Sequence, residues 1–390
     1  MGCGISLLAP AGACATHFGT RKDGEQARPC ALGEDVAAGN GSGCQPFGTP
    51  IARCTGFFAG RDMQTRDVVV IGSSMGGVEA LKVLVAQFPQ DLPASVSVVQ
   101  HVADSSPGIL AEILDSRGPL PASTAEDGMT MERGRIYVAP ANRHLLVTPG
   151  CIRVVFGPRE NRSRPAIDPL FRTAAVHFRS RVIGVVLTGL LDDGASGLQA
   201  IVRCGGTAVV QSPEDAAYPE MPKRALEYVE AARVTAVAKM GSLIEQLCRE
   251  PAPESPPVPD VLRLEAHLTE RATQHEDWTQ LPGRAVGLTC PECAGALQEI
   301  DTGEGEPRYR CRVGHAFSAR DLNLSKKGQV EDGLWLAIQT LEERAQTLMN
   351  LARVDRKGGR ERSATAFDAR ARESHAHAAR LREILNRLPD

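Results

Sequence analysis

The chain is most constrained by a short apolar run that stops abruptly in a turn. Val68-Val69-Val70-Ile71 gives way to Gly72-Ser73-Ser74-Met75-Gly76-Gly77, after which Val78, Leu81, Leu84 and Val85 recur at helical spacing. An unbroken β-branched run ending in glycine reads as a strand buried on both faces, and such strands belong to parallel sheets covered by helices. The alternation continues. Val96 to Gln100 reads as a second strand, and Ile109, Leu110, Ile113 and Leu114 form the next helical face. Helices over 166–180 and 195–203, strands at Val182–Leu187 and Thr207–Gln211, and a closing helix at Met221–Ala231 follow. Short strands with turn residues over 134–156 predict an antiparallel excursion. The fold class is therefore α/β, a mostly parallel sheet flanked by helices.

Length and composition bound the rest. At 390 residues the chain has room for two or three domains, and 42% hydrophobic with 23% charged residues is ordinary for a globular protein. A net charge of -3 gives no global basic field, so nucleic acid is not an expected partner. No apolar run approaches the roughly 18 residues of a membrane span, so direct membrane insertion is not expected either. Residues 1–62, rich in Gly, Ala, Pro and Thr with five cysteines, carry no period and read as a disordered extension or a start assigned too far upstream. An odd cysteine total of 11 with irregular spacing suits a reducing compartment, and a cytoplasmic location is expected. The catalytic α/β unit is assigned to 63–248 and a Pro-rich linker to 249–283, around Pro251-Ala-Pro-Glu-Ser-Pro-Pro-Val-Pro259.

The turn after the first strand has the form G-x-S-x-G between a strand and a helix, the context in which that pattern signals a serine nucleophile. Small residues on both sides let the chain reverse sharply and leave Ser74 at the carboxyl end of the sheet. The helix start behind it offers backbone N–H groups to a developing oxyanion. A phosphate-binding loop is excluded because no Gly-Lys-Ser/Thr follows, and the glycine spacing does not suit a dinucleotide. A serine needs a base and the base an orienting carboxylate. His101 ends the second strand, His144 lies in the irregular part and His177 in a helix. Asp192 and Asp193 sit in Leu187-Thr188-Gly189-Leu190-Leu191-Asp192-Asp193-Gly194, directly after another buried strand. Ser74, His101 and this acidic loop all emerge at one sheet edge. The order Ser, His, Asp departs from the Ser, Asp, His order of α/β-hydrolases.

Beyond the linker, Cys290-Pro-Glu-Cys293 and Cys311-x-x-x-His315 form two turns that each offer two metal ligands, the pattern of a structural, tetrahedral Zn²⁺ site. A zinc-ribbon-like module is expected over 284–322. Leu334, Ile338, Leu341, Ala345 and Leu348, then Phe367, Ala371, Ala378, Leu381 and Leu385, predict a helical hairpin over 326–390 that turns at Lys357-Gly358-Gly359-Arg360.

Taken together, five ordered blocks resemble the catalytic domain of the CheB family of chemotaxis protein-glutamate methylesterases. They are Ile71 to Gly77, Val99-Gln100-His101, Tyr137-Val138-Ala139-Pro140, Asn161-Arg162-Ser163-Arg164-Pro165 with Asp168, and Leu187 to Ala195. The resemblance implies that Ser74 attacks the γ-carbonyl of a methylated glutamate on a chemoreceptor-like helical bundle. His101 would act as base and Asp193, favoured over Asp192 by the block alignment, as its orienting group. Glutamine deamidation is implied by the same chemistry. The backbone N–H groups of Met75 and Leu190 become oxyanion donors by analogy, and Arg162 and Arg164 become substrate-side residues. Residues 1–62 are too short for the receiver module of full-length family members, so a separate regulatory protein is an expected partner. Cys311 to His315 also resembles tails on some receiver-less homologues. The competing reading is a catalytically idle adaptor that binds receptors through the α/β unit and recruits partners through ribbon and hairpin.

Overall fold

The computed structural model describes residues 65–272, 283–301 and 306–388; the expectation for 1–62 lies outside these. Seven parallel strands form the central sheet: β1 (Val68–Ser73), β2 (Ser95–Gln100), β3 (Ala122–Thr124), β4 (Ile136–Val138), then, further along the chain, Val182–Val186, Thr207–Gln211 and Arg233–Thr235. Between them lies an antiparallel pair, β5 (His144–Thr148) with β6 (Cys151–Val155), so the three later strands are β7, β8 and β9. The sheet order is β3-β4-β2-β1-β7-β8-β9, with every pairing parallel. The antiparallel excursion expected over 134–156 is thus confined to the hairpin, while β4 joins the main sheet. Its three residues, all buried, read like any short apolar run, and no periodicity separates the two cases.

Helices α1 (Gly77–Val85), α2 (Leu110–Asp115), α3 (Ile167–Phe178), α4 (Ala195–Arg203), α5 (Glu220–Tyr228) and α6 (Val237–Arg249) cover both faces. Strand alternation sorts the core into two halves. Val68 and Val70 pack with Ile167, Phe171, Leu198 and Ile201 on one side. Val69 and Ile71 pack with Leu81, Leu84, Ile244 and Leu247 on the other. Each buried Val or Leu contributes about 1.5–3 kcal/mol relative to exposure, which is why β1 tolerates no polar position before Ser73.

The stretch read as a linker over 249–283 contains a helix, α7 (Asp260–Glu270), which starts directly after Pro259 and buries Glu265, Ala266, Leu268 and Thr269. Proline just before a helix is compatible with its start, and the preceding Pro-rich run masked this one. Strands β10 (Gly283–Thr289), β11 (Ala296–Ile300), β12 (Arg308–Cys311) and β13 (Ala316–Ser318) then form a four-stranded antiparallel ribbon. The long helix α8 (Ala319–Lys357) grows directly from β13, capped by Ser318, whose Oγ accepts from the Asp321 N–H. It returns as α9 (Glu361–Leu385) through the Gly358-Gly359 turn, with Ala345, Leu348, Phe367 and Ala371 in the seam. Among the described residues, no helix is long and apolar enough to cross a membrane.

The ribbon is keyed to the α/β unit by buried charge. Glu160 accepts from Arg172 Nη2 at 2.8 Å, from both terminal nitrogens of Arg310 at 3.2 Å, and from Arg308 Nη2 at 3.3 Å. Glu265 of α7 accepts from Arg308 and Arg310 as well. Burial alone would raise the Glu160 pKa, yet Arg172, Arg310 and Arg308 outweigh it and hold this carboxyl far below its ordinary range. Arg172, Arg308 and Arg310 are each under 7% exposed, so the ribbon cannot shift without breaking buried ion pairs across the junction.

Candidate active site

The first two strand ends and the loop after β7 meet at the carboxyl edge of the sheet. Gly76 adopts φ 75, where a side chain is strained, and this lets the chain turn from β1 into α1 directly after Ser74. The turn is stitched to its neighbours. The Ser74 N–H donates to Thr188 O at 3.1 Å and the His101 N–H to Ser73 O at 3.0 Å. Gln100 Nε2 donates to Ser74 O at 2.7 Å, while Thr188 Oγ1 donates to Met75 O at 3.1 Å. A Cβ on Gly189 would lie 2.7 Å from that of Ser74, so the β7 loop passes behind the serine only because this residue has no side chain.

Within this frame Ser74 Oγ lies 3.2 Å from His101 Nδ1, and His101 Nε2 lies 2.7 Å from Asp193 Oδ2. Asp193 accepting at Nε2–H leaves Nδ1 as the lone-pair nitrogen facing the hydroxyl. Asp193 is buried and heavily solvated by the protein: the Ile167 N–H reaches Oδ2 at 2.6 Å, and the Asp168 N–H and Asn161 Nδ2 reach Oδ1 at 3.2 and 2.9 Å. Two of these donors are the first N–H groups of α3, a ready anion site. Burial alone would raise the Asp193 pKa, but the His101 bond and these donors hold it below the usual value. Neighbouring Asp168 behaves oppositely; burial and then the Asp193 charge push its pKa up to about 7. The two carboxyls, divided by Asn161, thus separate into an ion and a group that readily keeps its proton.

The other sequence candidates are placed as follows. Asp192 faces Asp321 and Ser318, not His101, and burial raises its pKa. His144 is buried, its Nε2 2.8 Å from Pro158 O and its Nδ1 accepting from the Ala166 N–H, so it is a packed residue. His177 pairs with Glu270 at 2.6 Å on the far helix face. Met75 and Leu190 flank Ser74, and neither N–H donates to a protein acceptor among the described residues. Ser74, His101 and Asp193 share an open cleft with Arg159, Asn161, Arg162, Ser163, Leu190 and Glu292. Arg164 is not among the lining residues: its guanidinium bonds Asn142 Oδ1 and Gly157 O and lies 3.9 Å over the Phe156 ring. Arg159 takes a place in the cleft instead, beside Asp104. No short motif marked it, because its position follows from the Asn161 and Arg162 turn, with φ 47 and 63.

Cys290, Cys293, Cys311 and His315 converge in the ribbon, all four ligand atoms lying within 4.8 Å of one another. Cys293 Sγ to Cys311 Sγ is 3.7 Å, Cys290 Sγ to His315 Nδ1 is 3.7 Å and Cys311 Sγ to His315 Nδ1 is 3.5 Å. Zn–S bonds of about 2.3 Å in a tetrahedron require ligand edges of about 3.8 Å, so the residues fit such an ion. Glu292, between Cys290 and Cys293, lies on the cleft wall, so the turn that carries these two cysteines borders the opening beside Ser74.

A strand-end serine, imidazole and carboxylate in line on a parallel α/β sheet have the form of a hydrolase site. Comparison with known proteins makes the class specific: residues 69–244 match the CheB methylesterase family. A Leptospira interrogans protein with the provisional name protein-glutamate methylesterase/protein-glutamine glutaminase is 37% identical over 182 residues, covering 46% of this chain and 94% of that one. Protein-glutamate methylesterase/protein-glutamine glutaminase 2 of Anaeromyxobacter dehalogenans is 37% identical over 183 residues; the match covers 47% of this chain and 54% of that longer relative. The crystal structure of the Thermotoga maritima CheB methylesterase catalytic domain is 33% identical, covers 47% of this chain and 99% of that chain, and superposes with a TM-score of 0.45. The chain belongs to the CheB methylesterase family, and it is an enzyme of the carboxylic ester hydrolase class.

Proposed function

We propose that the chain hydrolyses glutamate γ-methyl esters on chemoreceptor-like helical bundles through a Ser74–His101–Asp193 triad. The observation that carries this reading is the continuous line from Ser74 Oγ through His101 to Asp193, at 3.2 and 2.7 Å. His101 Nδ1 takes the Ser74 proton as Oγ attacks the γ-carbonyl carbon. The oxyanion accepts from the Met75 and Leu190 N–H groups, and Asp193 stabilises the imidazolium. The C–OCH₃ bond then breaks, and His101 gives its proton to the departing oxygen, releasing methanol. Water attacks the glutamyl ester with His101 again as base; Oγ recovers its proton and the product is a carboxylate. A glutamine side chain follows the same path with ammonia as the leaving group. Arg159 and Arg162 at the cleft are suited to an acidic helical surface. Zinc is the metal best suited to Cys290, Cys293, Cys311 and His315; with four protein ligands it would supply structure and no catalytic step. Such work belongs at the cytoplasmic face of a membrane, with control left to a separate regulatory protein.

The test is methanol release by the full chain from membranes bearing methyl-esterified chemoreceptors, with Ser74→Ala as control. Release lost in the variant supports the esterase. Release no greater than that of the variant, across several receptors, replaces it with the adaptor.

A further inference from the structure

Asn161 is 3% exposed, and all of its polar atoms near the triad are committed to two different parts of the chain. On one side its Nδ2 donates to Asp193 Oδ1 at 2.9 Å and to Asp168 Oδ2 at 3.0 Å. On the other, its Oδ1 accepts from the Ser318 N–H at 3.2 Å, and its own N–H donates to Ala316 O at 2.9 Å. Ser318 and Ala316 belong to β13, the edge strand of the ribbon, and Ala316 follows the metal-ligand candidate His315 directly. The Ala316 N–H also donates to Arg159 O, so β13 extends the 159–161 segment as an additional pairing. One amide therefore holds the orienting carboxylate with its nitrogen while its oxygen is held by the ribbon. The Glu160 cluster next to it locks the same two bodies together.

Amide orientation is what β13 decides. An Asn side chain can present either its carbonyl or its NH₂ to a neighbour. A carbonyl turned toward Asp193 would set oxygen against carboxylate oxygen and withdraw a donor from the ion that must orient His101. The Ser318 N–H donates to the Asn161 oxygen, and this contact, acting with the two carboxylates on the other side, holds the NH₂ toward Asp193 and Asp168. We infer that Asn161 is a positioning residue for the triad and that the C-terminal ribbon, through the Ser318 N–H, sets the strength with which Asp193 holds His101. Esterase competence is thereby tied to ribbon docking within the same chain, which gives the family's hydrolase domain here an in-chain support in its second layer of contacts. The inference rests on the triad reading above for its catalytic consequence, but its structural content is independent of turnover.

Two variants of the full chain separate the parts. Asn161→Gly suits the left-handed φ of 47 while removing all three side-chain contacts, to Asp193, Asp168 and the Ser318 N–H. Ser318 has φ -68 on an edge strand, so Ser318→Pro fits the backbone and deletes the N–H; Ser318→Ala removes only the helix-capping hydroxyl and serves as its reference. Loss of a hydrogen bond to a buried charged group typically costs about 10- to 100-fold. Asn161→Gly is expected to lose that much in kcat with KM little changed, and Ser318→Pro to fall at least about fivefold below Ser318→Ala, a share of the same range. Fewer donors to Asp193 raise the proton affinity of the Asp193–His101 pair, so the acid limb of the kcat/KM profile moves to higher pH in both. The low-field ¹H resonance of the proton between His101 Nε2 and Asp193 reports the same change without turnover, moving further downfield in Asn161→Gly and Ser318→Pro relative to Ser318→Ala. An unmoved resonance in Asn161→Gly, or equality of Ser318→Pro and Ser318→Ala, overturns the inference. Shifted resonances in a protein whose methanol release does not depend on Ser74 would leave the positioning intact and refute the esterase reading alone.

Discussion

Neutralising Glu160 is expected to loosen the ribbon more than any other single conservative change. Glu160→Gln keeps shape and one acceptor oxygen but removes the carboxylate that pairs with Arg172, Arg308 and Arg310 together, leaving Glu265 as the ion-pair partner of Arg308 and Arg310. Two unit charges about 4 Å apart interact with about 4 kcal/mol at an effective dielectric of 20. Removing one partner from a buried ionic group costs about 3–5 kcal/mol. The retained carbonyl still accepts from Arg172, so the lower end, about 3 kcal/mol, applies. That corresponds to roughly two powers of ten in an opening equilibrium. The assay is native-state hydrogen exchange at the Asn161 and Ala316 N–H groups, which cross the junction at 2.9 and 3.3 Å. Both should exchange about 100-fold faster, while amides of β1 and β7 change far less. Adding Arg310→Met restores the charge balance and should recover part of the loss, a coupling visible only in the double variant. A change under about threefold at the junction, or an equal change throughout the sheet, would refute the reasoning.

Further outcomes follow from the same contacts. Asp193→Asn presents the wrong partner to His101 and should lower kcat by about 10⁴ with the fold intact, measured as methanol release beside a circular dichroism spectrum. Asp321, beside Asp192 and Asp193 and opposed by Arg162, has its pKa pushed up to about 8, by burial first and then by the carboxylates. A raised carboxyl contributes stability that is full below its unfolded pKa and lost as pH rises through the folded one, so the start of α8 should loosen between about pH 4 and 8. Asp321→Asn should flatten that slope in urea titrations at several pH values. Zinc content near one per chain, lost in Cys311→Ser together with exchange protection at the Asn161 N–H, is expected from elemental analysis.

Some of this was legible in the sequence because chemistry and local geometry coincide there. The Val68–Ile71 run and the glycines after it define strand, turn and helix without tertiary information, and the strand ends carried Ser74 and His101 with them. The knuckle was readable because thiolate spacing in C-x-x-C reflects a local turn. Only the resemblance favoured Asp193 over Asp192; the local pattern could not, since one residue of rotation decides which carboxyl faces His101, and Leu191 at φ 67 makes that rotation. The helix α7 escaped notice because the adjoining prolines dominate the local pattern, and the burial of a charged Glu265 on its inner face is explained by Arg308 and Arg310 of the ribbon. Arg164 read as substrate-side by resemblance alone, and no local pattern revealed Phe156 beneath its guanidinium. Asn161 was seen as part of a motif, but its bridge to Ser318 spans 157 residues and leaves no trace in either local pattern.

The central claim, that Ser74 is a nucleophile activated by His101, is tested most directly by covalent labelling. The full chain would be treated with a fluorophosphonate, a reagent that phosphonylates activated serines with loss of fluoride, and the adduct located by peptide mass spectrometry. Stoichiometric labelling on Ser74 that falls at least about 100-fold in rate in His101→Ala is the expected result. Absence of an adduct on Ser74, or a rate unchanged without His101, would contradict it.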